Sequence, residues 1–248
     1  MIGLVLPNSK SVLLKTFTFE NCKELYDIRD NKAAVIDFLD DLFITADLNV
    51  IEKFYCLLHI RDLCIGNIIE LSEYNFDVLQ LQNTLQEIVD IKKIIKFDGN
   101  NITLNYPKNF TCSNTYDDSF IETILLDGEA INYNNLSSEE KNLIFNYLPD
   151  SIQKEIKNFY NININRLKVE FTLKAQNLVL NLAKLQCVEF ITTMLGPINP
   201  GIYRDYIFIL SKRIKDVSFI QQSTYLDVKD YMDLYVKEAK ENKSDLNN

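Results

Sequence analysis

Residues 54–71 read FYCLLHIRDLCIGNIIEL and hold the chain's single histidine, an arginine among apolar side chains, and two of its five cysteines. The spacing of apolar residues changes at Gly66. Before it the period is helical, and after it Ile68, Ile69 and Leu71 begin a β-like run. Asp47 or Asn49 can cap a helix over 49–65, with Val50, Phe54, Leu57, Leu58, Cys64 and Ile65 on one face. His59 falls on the opposite side, beside Glu52, and is expected to be a solvated surface histidine. Arg61 lands in the middle of the apolar face. A guanidinium there must pair with a carboxylate, cap backbone carbonyls or meet a partner protein, and an internal structural role is the ordinary outcome. Gly66 supplies the left-handed residue that closes the helix. The stretch reads as a joint between a helix and a sheet, so both element types share one fold.

Upstream, GLVLP (2–6) and SVLLKTFTF (11–19) read as a hairpin around PNSK, followed by helices near 20–30 and 33–45. On the second of these Val35, Phe38, Leu39 and Leu42 share a face. Downstream, from 67 to 106, the period is two. NIIELSEY is one strand, VLQLQ a second candidate, and IKKIIKFDGNNITLNYP a hairpin turning at Asp98-Gly99-Asn100-Asn101.

A helix is expected over about 117–127, ended by Gly128. Ser137 and Glu140 form a capping box for a helix that ends before Pro149. Asp150 or Ser151 then caps another helix to about 160. RLKVEFTLK (166–174) alternates as a strand. AQNLVLNLAKLQCVEFITTML is apolar almost all round and reads as one buried helix. In IYRDYIFILSKRIKDV a stripe runs through Ile202, Tyr206, Ile209, Leu210, Arg213 and Val217. A last helix spans about 227–240, with Val228, Tyr231, Met232, Tyr235 and Ala239 on one side.

The fold class expected is therefore α+β: an N-terminal β-hairpin and helices (1–66), a small, mainly antiparallel β insert (67–116), and a largely helical region with one strand near 166–174 (117–248). The last part is expected to be one unit with 1–66.

The chain has 248 residues, of which 47% are hydrophobic, and a net charge of −9. That charge, without a basic stripe, argues against nucleic acid as a partner. No run of about eighteen apolar residues exists to span a membrane. Five cysteines at irregular spacings fit free thiols in a reducing compartment. Six glycines form no GxxxxGK[ST] or GxGxxG cradle, and CxxC, HExxH and GxSxG are absent. One histidine cannot build a His-rich metal site, and pairing Cys56 with His59 for catalysis lacks an orienting acid. The acid pairs Asp40-Asp41, Asp117-Asp118 and Glu139-Glu140 read as helix-start or surface carboxylates.

The order of elements resembles the baseplate-hub assembly proteins of T-even-type contractile-tailed bacteriophages. The resemblance rests on FYCLLHIRDLCIGNIIEL, then a β insert closing on NITLNYP, then FIETILLDGEAI, then LIFNYLPDSIQKEIKNFYNININRLKVEF, and covers about residues 1–215. Arg61, Gly66, Pro107 and Pro149 match its pattern. The cysteine pairs of many relatives, suggestive of a metal knuckle, are missing here apart from the isolated Cys112, so no metal or other cofactor is carried over.

The resemblance implies a non-enzymatic assembly factor or minor hub component that contacts other baseplate-hub or tail proteins. It would act in the host cytoplasm during assembly and could remain in the virion baseplate. Arg61, Gly66, Pro149, Val228, Tyr231 and Tyr235 are the candidate structural or partner-contact residues. An unrelated cytosolic adaptor, or an enzyme with an unrecognised carboxylate site, are the alternatives.

Overall fold

A computed structural model describes residues 1–45, 47–71, 74–85, 91–110, 119–173, 176–182 and 184–245. Helix α3 (Val50–Cys64) runs through its core. The Asn49 side chain accepts from the Ile51 and Glu52 amides while the Glu52 carboxylate accepts from the Asn49 amide. This reciprocal cap satisfies donors that every helix start leaves without partners.

The expected buried face is present, but burial does not stop there. Ile51, Cys56 and Ile60 are buried as well, and so are the charged Glu52 and Lys53. Glu52 accepts from Asn8 and pairs with Lys10 of the first hairpin, and Lys53 reaches Asp40 at 2.7 Å. Buried charges survive only when paired in this way. The neighbours of α3 close around most of it, leaving the side with Leu63 open.

Those neighbours begin with the antiparallel pair β1 (Ile2–Val5) and β2 (Ser11–Leu14), followed by α1 (Phe19–Ile28) and α2 (Lys32–Asp41). Val35, Leu39 and Leu42 of the expected stripe are buried, and Phe38 is partly so.

After Gly66 the expected strand NIIELSEY is instead two. β3 (Ile68–Leu71) pairs antiparallel with β4 (Tyr74–Asp77). The base of this hairpin is pinched where the Val78 amide donates to the Asn67 carbonyl at 2.9 Å. VLQLQ, expected as a strand, is helix α4 (Leu79–Thr84). Val78, Leu81 and Leu85 are the buried residues there, and their spacing of three and four fits a helix better than alternation. The Asp77 carboxylate starts it by accepting from the Leu79 amide.

The insert continues as an antiparallel sheet in the order β5 (Lys93–Phe97), β6 (Asn100–Leu104), β7 (Ile121–Leu126), β8 (Glu129–Asn132). The expected hairpin at 98–101 is present, with the turn confined to Asp98-Gly99 by the pairing of Phe97 with Asn100. The helix expected over 117–127 is not formed where it can be seen. Residues 111–118, including Asp117-Asp118 and Cys112, lie outside the described residues, and 121–126 are β7. Asp127-Gly128 is a second two-residue turn (φ 50° and 86°), which Leu126 pairing with Glu129 makes the tip of another hairpin.

The Ser137–Glu140 capping box opens α5 (Ser138–Tyr147) as expected. Pro149, rather than Asp150 or Ser151, occupies the cap position of α6 (Asp150–Asn163). The strand expected at 166–174 is β9 (Lys168–Leu173), and it has a partner. The presumed long helix from 175 divides into β10 (Gln176–Asn181) and α7 (Leu185–Met194). Leu180 and Leu182 belong to an alternating run, Cys187, Val188, Ile191 and Met194 to a helical one. Reading both as one helix spread apolar residues around its whole circumference.

Three helices finish the chain: α8 (Pro200–Ser211), α9 (Val217–Gln222) and α10 (Tyr225–Asp245). On α8 the inward residues are Tyr203 and Leu210, with Tyr206 and Ile207 partly buried, while Ile202 is exposed. The expected stripe is rotated because Phe19 stacks on Tyr203 at 4.8 Å and fixes that face inward. One continuous buried cluster runs from Leu6 to Val228.

Candidate docking site at the helix-to-sheet joint

Arg61 lies in the last turn of α3 and is 7% exposed. Its partners are backbone carbonyls: Nη1 donates to Met194 O at 2.9 Å and Nη2 donates to Ile68 O. Nε has no partner among the described residues. Burial lowers the guanidinium pKa from its ordinary value. Met194 is the last residue of α7, where unpaired carbonyls and the helix dipole favour a cation. Arg61 thus ties α3 to the end of α7 and the start of β3. Gly196 lets this happen: a Cβ there would meet Nη1 at 3.2 Å.

Gly66, five residues after Arg61, has φ 107° and donates its amide to the Arg61 carbonyl at 2.9 Å. Leu226 at the start of α10 covers it.

Met194, whose carbonyl Arg61 holds, and Ile69, next to Ile68, both line a groove of about 370 Å³. Ile69 lies across the strand pair from Phe76, which lines the groove as well. A second cross-strand pair, Phe171 with Leu178, completes the apolar lining from β9 and β10. Phe171 lies 5.3 Å from Phe76 and 5.8 Å from Phe190 of α7, and Phe190 reaches Phe54 of α3 at 6.3 Å. Gln186, Glu189 and Thr193 bring the polar part of the lining along α7. Glu189 pairs with Lys32 at 2.9 Å. The volume is at the small end of ligand pockets, and the lining suits apolar side chains better than a polar substrate. The alternating Phe171 and Leu178 were the signal in the sequence for this surface, but only folding brings them beside Phe76 and Phe190.

His59 corrects an expectation. It is half-buried with its ring 4.9 Å from Tyr55, and Nε2 is shielded from water without a hydrogen-bond partner among the described residues. Burial depresses its pKa, and the Asp62 carboxylate offsets part of that shift. Cys56, one turn away, is fully buried with its thiol pushed up to about 12. Burial therefore disfavours the thiolate that nucleophilic attack needs. Cys22, Cys64 and Cys187 are also buried, free and raised in pKa. Among the described residues no group of three or more His, Cys, Asp or Glu side chains is placed to hold a metal ion.

The other singled-out residues lie elsewhere. Pro149 joins α5 to α6, where its carbonyl accepts from the Ile152 and Gln153 amides. Val228 is fully buried, Tyr231 is partly buried 6.3 Å from Phe219, and Tyr235 lies beneath the Arg213 guanidinium at 5.3 Å. That face of α10 packs on the chain's own core. Leu234 and Val236, on its other sides, are exposed.

No described helix is long and apolar enough to cross a membrane. Comparison with curated proteins and with solved structures gives no match. Residues 2–178 match the family model described as T4 bacteriophage base plate protein, a span that holds β1 through the first half of β10 and ends before α7. With that match running over most of its length, the chain belongs to the T4 bacteriophage base plate protein family.

Proposed function

We propose that the protein serves the tail baseplate without catalysis, as a hub assembly factor or minor hub component that works through contacts with other baseplate-hub or tail proteins. The family assignment carries this reading, and the aromatic groove braced by Arg61 gives it a place on the molecule. An apolar side chain of a neighbouring baseplate protein, seated among Phe76, Phe171 and Leu178, is the occupant that the lining suits. The protein would meet its partners in the host cytoplasm during assembly and could stay in the virion. The carboxylate-enzyme alternative has little support at this groove, where the one acid lining it among the described residues, Glu189, is held by Lys32.

The test is affinity purification of the tagged protein from host cells producing the phage, beside a Leu178→Glu variant. Leu178 is partly exposed, so a charge there closes the groove without filling the core. Recovery of hub proteins in fixed ratio with the wild type, and their loss with the variant at unchanged melting temperature, is expected. A wild-type protein that emerges alone, or a variant that keeps the same partners, would overturn the assignment to this groove.

A further inference from the structure

A second surface, built from other elements, lies at the tips of the four-stranded sheet. The two Asp-Gly turns meet there: the Asn100 side-chain oxygen accepts from the Asp127 amide at 2.8 Å. Phe97 and Leu126, the last residues before each turn, join Leu143, Ile144, Tyr147 and Leu148 around an apolar depression of about 280 Å³. Helix α5, which forms one side of it, has no buried residue. Leu143 is 59% and Tyr147 81% exposed. The next helix, α6, buries Ile152, Ile156 and Phe159 in the ordinary way. α5 is held by its capping box, by Ile144 and Phe145 against the core, by the buried Leu148 that follows it, and by the Tyr133 hydroxyl donating to the Lys141 carbonyl at 3.1 Å. Ile144 and Phe145 are only partly buried there, while Leu143 and Tyr147 leave an apolar strip of the helix facing water.

The charges around the depression say what kind of partner it suits. Asp98 and Asp127 are in the turns, Glu129 follows the second turn, and Glu139 begins the stripe Glu139, Leu143, Tyr147 at four-residue steps on α5. All four carboxylates are exposed, and none makes an ion pair among the described residues. Exposed acids elsewhere, such as Asp27, Asp41, Glu155 and Glu189, do have lysine partners. Of the nearby cations, Lys96 is exposed on β5, Lys141 lies over the Tyr133 ring and Lys157 over Phe145. Four carboxylates against these three lysines leave the rim a surplus of one negative charge, with the acids on the turns and the start of α5. A second copy of this chain would bring the same acids against it, and a nucleic acid would bring phosphates; both are repelled.

We propose that this depression docks a basic amphipathic helix of a partner protein. Its apolar residues seat against Leu143 and Tyr147, and its lysines or arginines face Asp98, Asp127, Glu129 and Glu139. The helix-in-groove mode uses apolar anchors one turn apart, the spacing that Leu143 and Tyr147 offer.

The probe is a fluorescein-labelled Leu/Lys amphipathic peptide of about 15 residues, long enough to hold a helix, with a Leu/Glu peptide as its counterpart. Anisotropy titration of the full chain at physiological salt reads the affinity. The Leu/Lys peptide is expected to bind and the Leu/Glu peptide not to. Leu143→Ser with Tyr147→Ser should weaken binding about tenfold or more, the loss expected of central anchors. Asp127→Asn with Glu139→Gln should weaken it by about threefold to tenfold. Asp230→Asn with Asp233→Asn removes the same charge from α10 and should leave affinity within about twofold. Both side chains of the apolar pair are exposed, so circular dichroism should show an unchanged fold.

Equal weakening by the two charge pairs, or no effect of the apolar pair, would reduce the binding to net-charge attraction and overturn the proposal. So would a dimer in sedimentation that Leu143→Ser with Tyr147→Ser dissolves, because the occupant would then be a second copy.

Discussion

Replacing Arg61 with alanine strips two buried carbonyls, Met194 O and Ile68 O, of a charged donor. Each such hydrogen bond is worth about 1.5–3 kcal/mol, and a buried acceptor left without a partner costs about 1–3 kcal/mol. Against this, the mutant no longer keeps a guanidinium out of water without a countercharge, which returns several kcal/mol. The cavity left by the side chain adds to the loss. These terms leave a destabilisation of about 3 kcal/mol, at the upper end of what single substitutions ordinarily cost.

Urea unfolding measures it. With a slope of about 3 kcal/mol/M for a chain of this size, the midpoint should fall by about 1 M. Arg61→Met keeps much of the volume and should recover the cavity contribution but not the hydrogen bonds, leaving a loss of about 2 kcal/mol. Because the partners are carbonyls, the Arg61→Ala effect should be the same at pH 5 and pH 8. A midpoint shift under about 0.2 M, Arg61→Met equal to wild type, or an effect that shrinks with carboxylate protonation would each refute the brace.

The remaining predictions concern burial. His59 has its pKa lowered from 6.5, chiefly by burial, so the unfolded chain binds the proton more readily than the folded one. Its contribution to stability is therefore present above about pH 6.5 and lost as pH falls through the lower folded value. His59→Gln should flatten the drop in urea midpoint between pH 7 and pH 5 relative to wild type.

Val228 is fully buried and Leu234 is 58% exposed. Val228→Ala should therefore cost about 1–2 kcal/mol and Leu234→Ala under about 0.5 kcal/mol by the same unfolding assay. Cys22, Cys56, Cys64 and Cys187 should resist iodoacetamide in the native protein and react once it is denatured, as read by peptide mapping, since each is buried with a raised pKa.

The α+β class and the joint at Gly66 were legible because caps and turns are local chemistry. Asn49, Ser137 and Asp98-Gly99 each act within a few residues of themselves. The same locality misled where one signal fits two structures. Gly128 ends a helix as readily as it completes a hairpin, and only β6 beside β7 decides for the strand. VLQLQ is too short for its period to be read, and packing against α3 and β9 selects the helix.

His59 was placed in water by treating α3 as a two-faced helix. Its side of α3 is the least enclosed, with Leu63 52% exposed, yet packing beside Tyr55 leaves the ring half-buried. The groove was invisible for a related reason, as its lining comes from four strands and a helix spread over Ile69 to Met194. Arg61 was the legible clue to it, since a cation on an apolar face requires acceptors from somewhere. Its acceptors turned out to be carbonyls rather than a carboxylate.

Arg61 and Met194 are separated by 133 positions in the chain. At ribosomal rates of about 5–20 residues per second, the helix carrying Arg61 leaves the exit tunnel on the order of ten seconds before α7 exists to receive it. For that interval α3 has β1, β2, α1 and α2 to pack against but lacks α7 and α10. The Met194 half of the brace therefore closes late, after the local contact with Ile68 and before α8 to α10 arrive. Slowing translation after residue 71 lengthens that wait, so the codons between β3 and α7 belong to the physics of this fold as much as the residues they encode.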